Sequence, residues 1–242
     1  MTRTRGCGRS DPAPPTMTEN SREWVLHEIA RRVVQLEFPH PVRVGVDGIS
    51  ASGKTVFADE LAAVLRGMGR EVIRSGLDGF HNPPEIRHRQ GSHSVSGYLE
   101  DSFDFEAVRR CVLDPLGPEG NLSYLCEAYD HKVEAPCEAS PLQADPQAIL
   151  VFEGVTLFRD DWADFFDFKI LVQASFEVAL ERAKTRDLEH FGGMETLLAK
   201  YNQRFFPGQR RYLEQCRPGT SADLVVGNDD WERPQLSDSC KS

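Results

Sequence analysis

The sequence predicts an α/β protein of three layers, in which helices cover both faces of a mostly parallel central sheet. Three observations predict it. Residues 148–152 are an unbroken apolar run of strand length, as expected of a strand buried on both faces. Short β-branched or apolar segments alternate along the chain with segments of helical spacing, the order of βαβ units. A glycine-rich turn joins one such strand to the helix that follows it.

In chain order, residues 21–36 place Trp24, Val25, Ile29, Val33 and Leu36 at helical spacing, with Asn20 or Ser21 as cap and Pro39 and Pro41 as the stop. Residues 42–46 are a strand ending at Asp47-Gly48. Residues 55–65 read as a helix with Val56, Phe57, Leu61, Val64 and Leu65 inward, closed by Gly67 and Gly69. A second strand covers 71–77, and the polar, proline-containing stretch 78–90 reads as a loop at its carboxyl end. Residues 105–113 look helical, 115–120 form a turn, and 122–135 hold short strands flanking a pocket. Strand 168–173 feeds helix 176–186, and 224–226 is a last short strand before a polar tail. Ligands in such sheets sit beyond the carboxyl ends of the strands.

Size and charge bound the function. A chain of 242 residues holds one sizeable core. The expected division is an N-terminal tail over 1–19, one domain over 20–236 and a tail over 237–242. A net charge of −10 argues against a general nucleic-acid binder. No apolar run reaches membrane-spanning length, so no membrane partner is expected. The Arg-rich beginning lacks the apolar middle of a secretory signal, and the six scattered cysteines show no metal-like spacing. Free thiols in a reducing cytoplasm are the expectation.

Gly48-x-x-x-x-Gly53-Lys54-Thr55 matches the phosphate-binding P-loop completely. Its position between a strand and a helix is the context that the chemistry needs. Backbone N–H groups of Gly48, Ser50, Ala51, Ser52, Gly53, Lys54, Thr55 and Val56 can converge on phosphate oxygens at the positive end of the helix. Lys54 adds a mobile cation, and the Thr55 hydroxyl can ligate Mg²⁺. Asp78 follows the second strand, where a kinase needs a carboxylate to orient an acceptor hydroxyl; an Asx-turn cap is the other reading. Glu153 ends the apolar strand and is placed to reach the metal, or else serves structure alone. Arg182 and Arg186 share a helix face, either toward a phosphate or as a solvated basic surface.

The chain resembles the uridine kinase family, within the wider phosphoribulokinase and uridine kinase group, over about residues 41–234. The resemblance rests on Val44-Gly-Val-Asp-Gly-Ile-Ser-Ala-Ser-Gly-Lys-Thr, Asp78-Gly-Phe-His-Asn-Pro, Tyr129-Asp130, Val151-Phe-Glu-Gly and Ser221-Ala-Asp-Leu-Val-Val. It implies the P-loop NTPase fold with a small lid, over about 182–212, and a homo-oligomer. It implies Asp78 as catalytic base, with Asp78, Phe80, His81, Asp101 and Tyr129 at the acceptor. Asp104 competes with Asp101 but also suits the cap of the following helix. Thr55, Glu153 and Asp78 would surround Mg²⁺, and Lys54, Arg182 and Arg186 would neutralise the transferring phosphate. Two departures fall where the family reads its acceptor. Glu134 stands near the position of a base-contacting histidine, and the Glu-Arg-Gly-Arg run of the lid is replaced from Arg186 onward by Asp-Leu-Glu-His-Phe-Gly-Gly.

The resulting expectation is transfer of the γ-phosphate of ATP or GTP to the 5′-hydroxyl of uridine, cytidine or a related nucleoside. The alternatives are a kinase for another hydroxyl compound, of the sugar phosphate, pantothenate or nicotinamide riboside type, and a regulatory nucleotide-binding protein.

Overall fold

The computed structural model describes residues 18–239. Most of the expected 1–19 tail, and residues 240–242 of the expected C-terminal one, lie outside them. Helix α1 spans Arg22–Val33, and its first turn is capped by the Ser21 hydroxyl, which accepts from the Trp24 N–H.

The central sheet has strands β1 (Val42–Asp47), β2 (Val72–Gly76), β3 (Ile149–Gly154), β4 (Phe168–Gln173), β5 (Leu224–Gly227) and β6 (Gln235–Asp238). Across the sheet they run β6-β5-β4-β1-β3-β2, and only the β5–β6 pairing is antiparallel. Residues 235–238, read from sequence as polar tail, thus add an edge strand. An antiparallel edge tolerates polar residues because it need not be covered on both faces.

Side-chain alternation along β3 divides the core. Ile149 and Val151 join the cluster beneath α1 and helix α2 (Lys54–Gly67), while Leu150 and Phe152 join the cluster on the other face. Within α2, Phe57, Ala58, Leu61 and Leu65 face the sheet. Val56, expected inward, is 55% exposed, because it lies on the far side of the helical repeat from that stripe.

Three helical regions depart from the sequence expectation. The stretch 78–90 contains a tight turn over Leu77–Gly79 and a short helix over Pro84–Arg87. Helix α3 (Val95–Asp101) precedes α4 (Phe105–Val108), whose π-helical continuation Arg109–Leu113 completes the helix expected over 105–113. After α5 (Phe176–Arg186) come α6 (Met194–Lys200), a π-helical turn over Tyr201–Phe205, and α7 (Phe206–Cys216). Tyr201, Phe206 and Tyr212 are their buried contacts.

One geometric consequence matters for function. Gly48, Asp78, Glu153, Ser175 and Asn228 all fall at the carboxyl ends of the parallel strands, on one rim of the sheet. Among the described residues no helix is long and apolar enough to cross a membrane.

Candidate active site

The loop Gly48–Thr55 leaves β1 and enters α2 through two left-handed residues, Ala51 at φ 61° and Gly53 at φ 93°. The N–H groups of Gly48, Ser50 and Ser52, expected at the phosphate, instead donate to Asp47, Gln209 and the Ile49 carbonyl, which leaves the cradle to Ala51, Gly53 and the first α2 turn. Gly48 is required by close approach: a Cβ there would stand 2.5 Å from the Val172 carbonyl oxygen and 2.6 Å from Ser52 Oγ. The N–H groups of the first α2 turn have no intrahelical partners and are free for phosphate. Lys54 is buried beside them, while Thr55 and Val56 stand exposed at the mouth.

Three carboxylates meet the loop. Glu153 is paired in register with Val46 on β1 and Gly76 on β2, so the sheet itself places it. Thr55 Oγ1 donates to Glu153 Oε1 at 3.3 Å. Burial pushes the Glu153 carboxyl above its ordinary range; the Lys54 charge opposes the rise and Asp78 adds to it. Adjacent ligands on octahedral magnesium stand about 3 Å apart, so a hydroxyl and a carboxylate at this separation fit that ion. The described residues hold no group of three or more His, Cys, Asp or Glu side chains able to bind a metal by themselves. Asp78 is exposed at the end of the tight turn after β2, and its charge is felt at Glu153.

Asp47 is the third carboxylate. It is wholly buried and accepts from the Gly48 N–H at 2.7 Å and from the Tyr212 hydroxyl. Burial drives its carboxyl up, and the donors from Tyr212 and Gly48 pull against that rise. The Tyr212 oxygen in turn accepts from the Phe158 N–H at 3.1 Å. One turn earlier on α7, Gln209 accepts from the Ser50 N–H at 3.3 Å and donates to Ser50 Oγ at 2.7 Å and Tyr98 Oη at 2.6 Å. Helix α7 therefore clamps the root and the crest of the phosphate loop. The sequence reading missed both residues, although Tyr201, Phe205, Gln209 and Tyr212 lie near helical spacing and were a readable signal.

The two candidate arginines part company. Arg182 lies against the loop, donating to the Ser52 carbonyl at 3.1 Å and to the Asn228 carbonyl at 2.6 Å. Asn228 Nδ2 reaches the same Ser52 oxygen at 2.7 Å. Arg186 is instead held by Asp187 at 2.6 Å and 2.9 Å and lies 3.3 Å from Tyr201 Oη.

Beyond Asp78 lies a cavity of about 530 Å³ lined by Phe80, His81, Asp104, Arg110, Tyr129 and Glu134, among others. His81 and Glu134 also line a second cavity of about 290 Å³. His81 Nδ1 and His131 Nδ1 stand 3.0 Å and 3.3 Å from the Asp78 carbonyl oxygen. A carbonyl only accepts, so each Nδ1 carries the proton in these contacts. Burial holds His81 below its ordinary value against the pull of Asp78. The Tyr129 hydroxyl donates to Glu134 at 3.2 Å. The structure thus gathers Phe80, His81 and Tyr129 around one space; Asp78 lines neither cavity and adjoins them through its carbonyl, which His81 and His131 contact.

Asp101 is not among them. Its side chain is buried and engaged by Arg89 and, at 2.7 Å, by Gln90, and it lines neither cavity. The Arg89 hydrogen bond holds its carboxyl below the ordinary range in spite of burial. Asp104 caps α4, accepting from the Ala107 N–H at 2.9 Å, and also faces the larger cavity.

Comparison with known proteins agrees with this geometry. The sequence profile of the Phosphoribulokinase / Uridine kinase family matches residues 43–228. Uridine-cytidine kinase B of Dictyostelium discoideum is 25% identical over 77% of this chain and 74% of its own length. The uridine kinase of Brevibacillus brevis is 22% identical over 81% of this chain and 89% of its own. Among solved structures, one described as a possible uridine kinase from Bacillus stearothermophilus superposes with a TM-score of 0.65. It is 21% identical and covers 83% of this chain and 96% of its own, a likeness of fold. A strand–loop–helix phosphate cradle, carboxylates at the carboxyl ends of β1 and β3, and a family profile spanning most of the sheet lead to one conclusion: the chain belongs to the phosphoribulokinase/uridine kinase family and is an ATP-dependent kinase.

Proposed function

We propose that the chain transfers the γ-phosphate of ATP, or of GTP, to a hydroxyl of a small acceptor seated beside Asp78. The observation that carries this reading is Asp78, exposed on the turn after β2, with its charge felt at Glu153 and its carbonyl met by His81, which lines a cavity large enough for a sugar or nucleoside. Uridine and cytidine are the acceptors that the names of the relatives put forward, and the 5′-hydroxyl is the group this reading assigns to the transfer.

In this reading the loop N–H groups and Lys54 hold the phosphates in line with the acceptor. Asp78 orients the acceptor hydroxyl and takes its proton as the new O–P bond forms. The bond from the γ-phosphorus to the β–γ bridging oxygen breaks, and the nucleoside diphosphate leaves. Positioning and charge supply most of the acceleration in phosphoryl transfer. A magnesium ion held by Thr55 and Glu153 would neutralise charge between the β- and γ-phosphates. The segment 182–212 serves as the lid, with Arg182 already on the loop. Arg186 would have to exchange Asp187 for phosphate on closure.

The test is a coupled assay of ADP release with Mg²⁺-ATP and separate acceptors: uridine, cytidine, pantothenate, nicotinamide riboside and ribulose 5-phosphate. Acceptor-dependent ADP release is the expected result. Slow hydrolysis indifferent to every acceptor would favour a regulatory nucleotide-binding protein instead.

A further inference from the structure

The smaller cavity beside Asp78 is built from cations. Arg87, His88, His131, His190, Lys200 and Arg204 line it, with Glu134 as the acidic residue of the lining. Arg204 is only 2% exposed. Its guanidinium donates to the carbonyls of Arg87, Gly91 and Ser92 and to Ser102 Oγ, and it meets His88 Nδ1 at 3.2 Å. All of these partners are neutral. Lys200 Nζ donates to the Ser92 carbonyl at 3.2 Å, and no carboxylate pairs with it among the described residues. Arg87 is paired with Glu134. Three full positive charges therefore face one negative one in the lining; Asp101, held by Arg89 outside it, is a further carboxylate whose charge reaches Arg204.

The fold treats another buried arginine differently. Arg43, 5% exposed, is met by both carboxylate oxygens of Asp167, at 3.0 Å and 3.2 Å. A buried charge without a counter-charge is unfavourable, and like charges four residues apart on a helical segment repel. Lys200 and Arg204 have this spacing and share the cavity. Their neighbours register the field. His88 lies below its ordinary value, through burial first and then the charges of Arg204, Arg87 and Lys200. Lys200 is lowered in the same way by burial, Arg204 and Arg87. Contacts to the 87–92 loop explain why an arginine stands at 204. Lys200 reaches the same loop by a single hydrogen bond to the Ser92 carbonyl, and neither cation is ion-paired among the described residues.

We propose that the acceptor is itself an anion, a hydroxyl compound bearing a phosphate or carboxylate group that lodges among Arg87, Lys200 and Arg204 while its free hydroxyl reaches Asp78. The inference rests on the kinase reading above and narrows its substrate class. Guanidinium and ammonium groups converging in a half-enclosed site are the chemistry that recognises phosphate and carboxylate oxygens. His81 lines this cavity and touches the Asp78 carbonyl, so the anion pocket adjoins the reacting end. In the transfer, the acceptor oxygen bonds to the γ-phosphorus, its proton passes to Asp78, and ADP leaves with the bridging oxygen. The acceptor's own anionic group is unchanged.

The first arm measures initial rates of ADP release for matched neutral and anionic acceptors: ribose and ribose 5-phosphate, glycerol and glycerate, uridine and uridine 3′-monophosphate. The anionic member should have the higher kcat/KM. Lys200→Gln should lower that value about ten- to a hundredfold, through KM, and lower the neutral member's far less. Glycerate against the two phosphates decides between carboxylate and phosphate. The second arm titrates inorganic phosphate by calorimetry into protein saturated with Mg²⁺ and a non-hydrolysable ATP analogue, so that the phosphate loop is filled. Phosphate should bind, and Lys200→Gln should weaken it about tenfold without changing nucleotide affinity or the melting temperature. Equal or better use of neutral acceptors, untouched by Lys200→Gln, overturns the anion proposal and leaves the kinase reading standing. Absence of turnover with every acceptor removes the kinase reading, and phosphate binding to the nucleotide-filled protein then decides whether the anion site is real.

Discussion

The Thr55 hydroxyl donates to Glu153 across 3.3 Å, tying the first turn of α2 to the end of β3. These two residues are 98 positions apart in sequence, and the parallel pairing of β1 with β3 brings them together. The Glu153 carboxyl is buried, beside Lys54 on one side and Asp78 on the other. A buried acid among such neighbours is arranged for a ligand as well as for packing. Glu153→Gln keeps the shape and the Thr55 contact but removes the charge. Turnover should fall by about a hundred- to a thousandfold, with the magnesium concentration for half-maximal rate raised. Nucleotide affinity without magnesium should be unchanged. Steady-state rates against magnesium concentration check this, and an unaltered magnesium dependence would place the metal elsewhere.

Asp78→Asn should separate chemistry from binding. The side chain is exposed and carries no fold-stabilising ion pair among those described, so the melting temperature should hold. If Asp78 handles the acceptor proton, kcat should fall by about a hundred- to ten-thousandfold. ATP affinity, measured by calorimetry, should stay within a few fold. A variant that retains most of its turnover would leave Asp78 as a turn residue only.

How much of this was legible follows from how local each feature is. The strand, loop and helix over 42–67 were readable because glycine spacing, the β-branched run and the apolar stripe all act within a few residues. Glu153 was readable because its strand is a pure apolar run that ends in an acid. Asp101 was not, since the ion pair that occupies it comes from Arg89 on a segment read as a loop. The cations of the acceptor side were equally hidden. Lys200 and Arg204 are four residues apart on one helical run, but only tertiary packing brings Arg87, on the short helix Pro84–Arg87, into the same space. Helical spacing could place Gln209 and Tyr212 on one inward face, but their partners Ser50 and Asp47 lie 159 and 165 positions away, which spacing does not reveal.

That second contact makes its own prediction. Tyr212 donates to buried Asp47 and accepts from the Phe158 N–H, so Tyr212→Phe strands both an acid and a backbone donor. Loss of such a partner costs about 1–3 kcal/mol. Asp47 shares its other oxygen with the Gly48 N–H, so the root of the phosphate loop should loosen as well. Denaturant unfolding should show the stability loss, and ATP affinity should weaken in the same variant. A stability loss with unchanged nucleotide affinity would make α7 a structural brace without influence on the loop.

His88 supplies a pH prediction whose sign is fixed by its surroundings. Burial and the charges of Arg204, Arg87 and Lys200 hold it below its ordinary value of 6.5, and its Nδ1 stands 3.2 Å from the Arg204 guanidinium. The unfolded chain therefore binds a proton on this residue at a higher pH than the folded chain does. Stability rises with pH where the unfolded state holds more protons, so His88 should cost stability as pH falls below about 6.5 toward its folded value. Carboxylates such as Asp101 and Glu134, both held below their ordinary ranges, make their own loss only at more acid pH. His88→Asn keeps an acceptor for Arg204 and removes the titration. Melting temperatures of the two proteins across about pH 5–8 should diverge on the acid side, with the parent falling more steeply. An anion seated in the cavity reverses part of that trend. Its charge offsets the cations that repel the histidine proton, so 10 mM phosphate, roughly a saturating amount for a millimolar site, should shrink the difference between parent and variant. Parallel profiles with and without phosphate would mean that neither the cations nor an anion bears on His88.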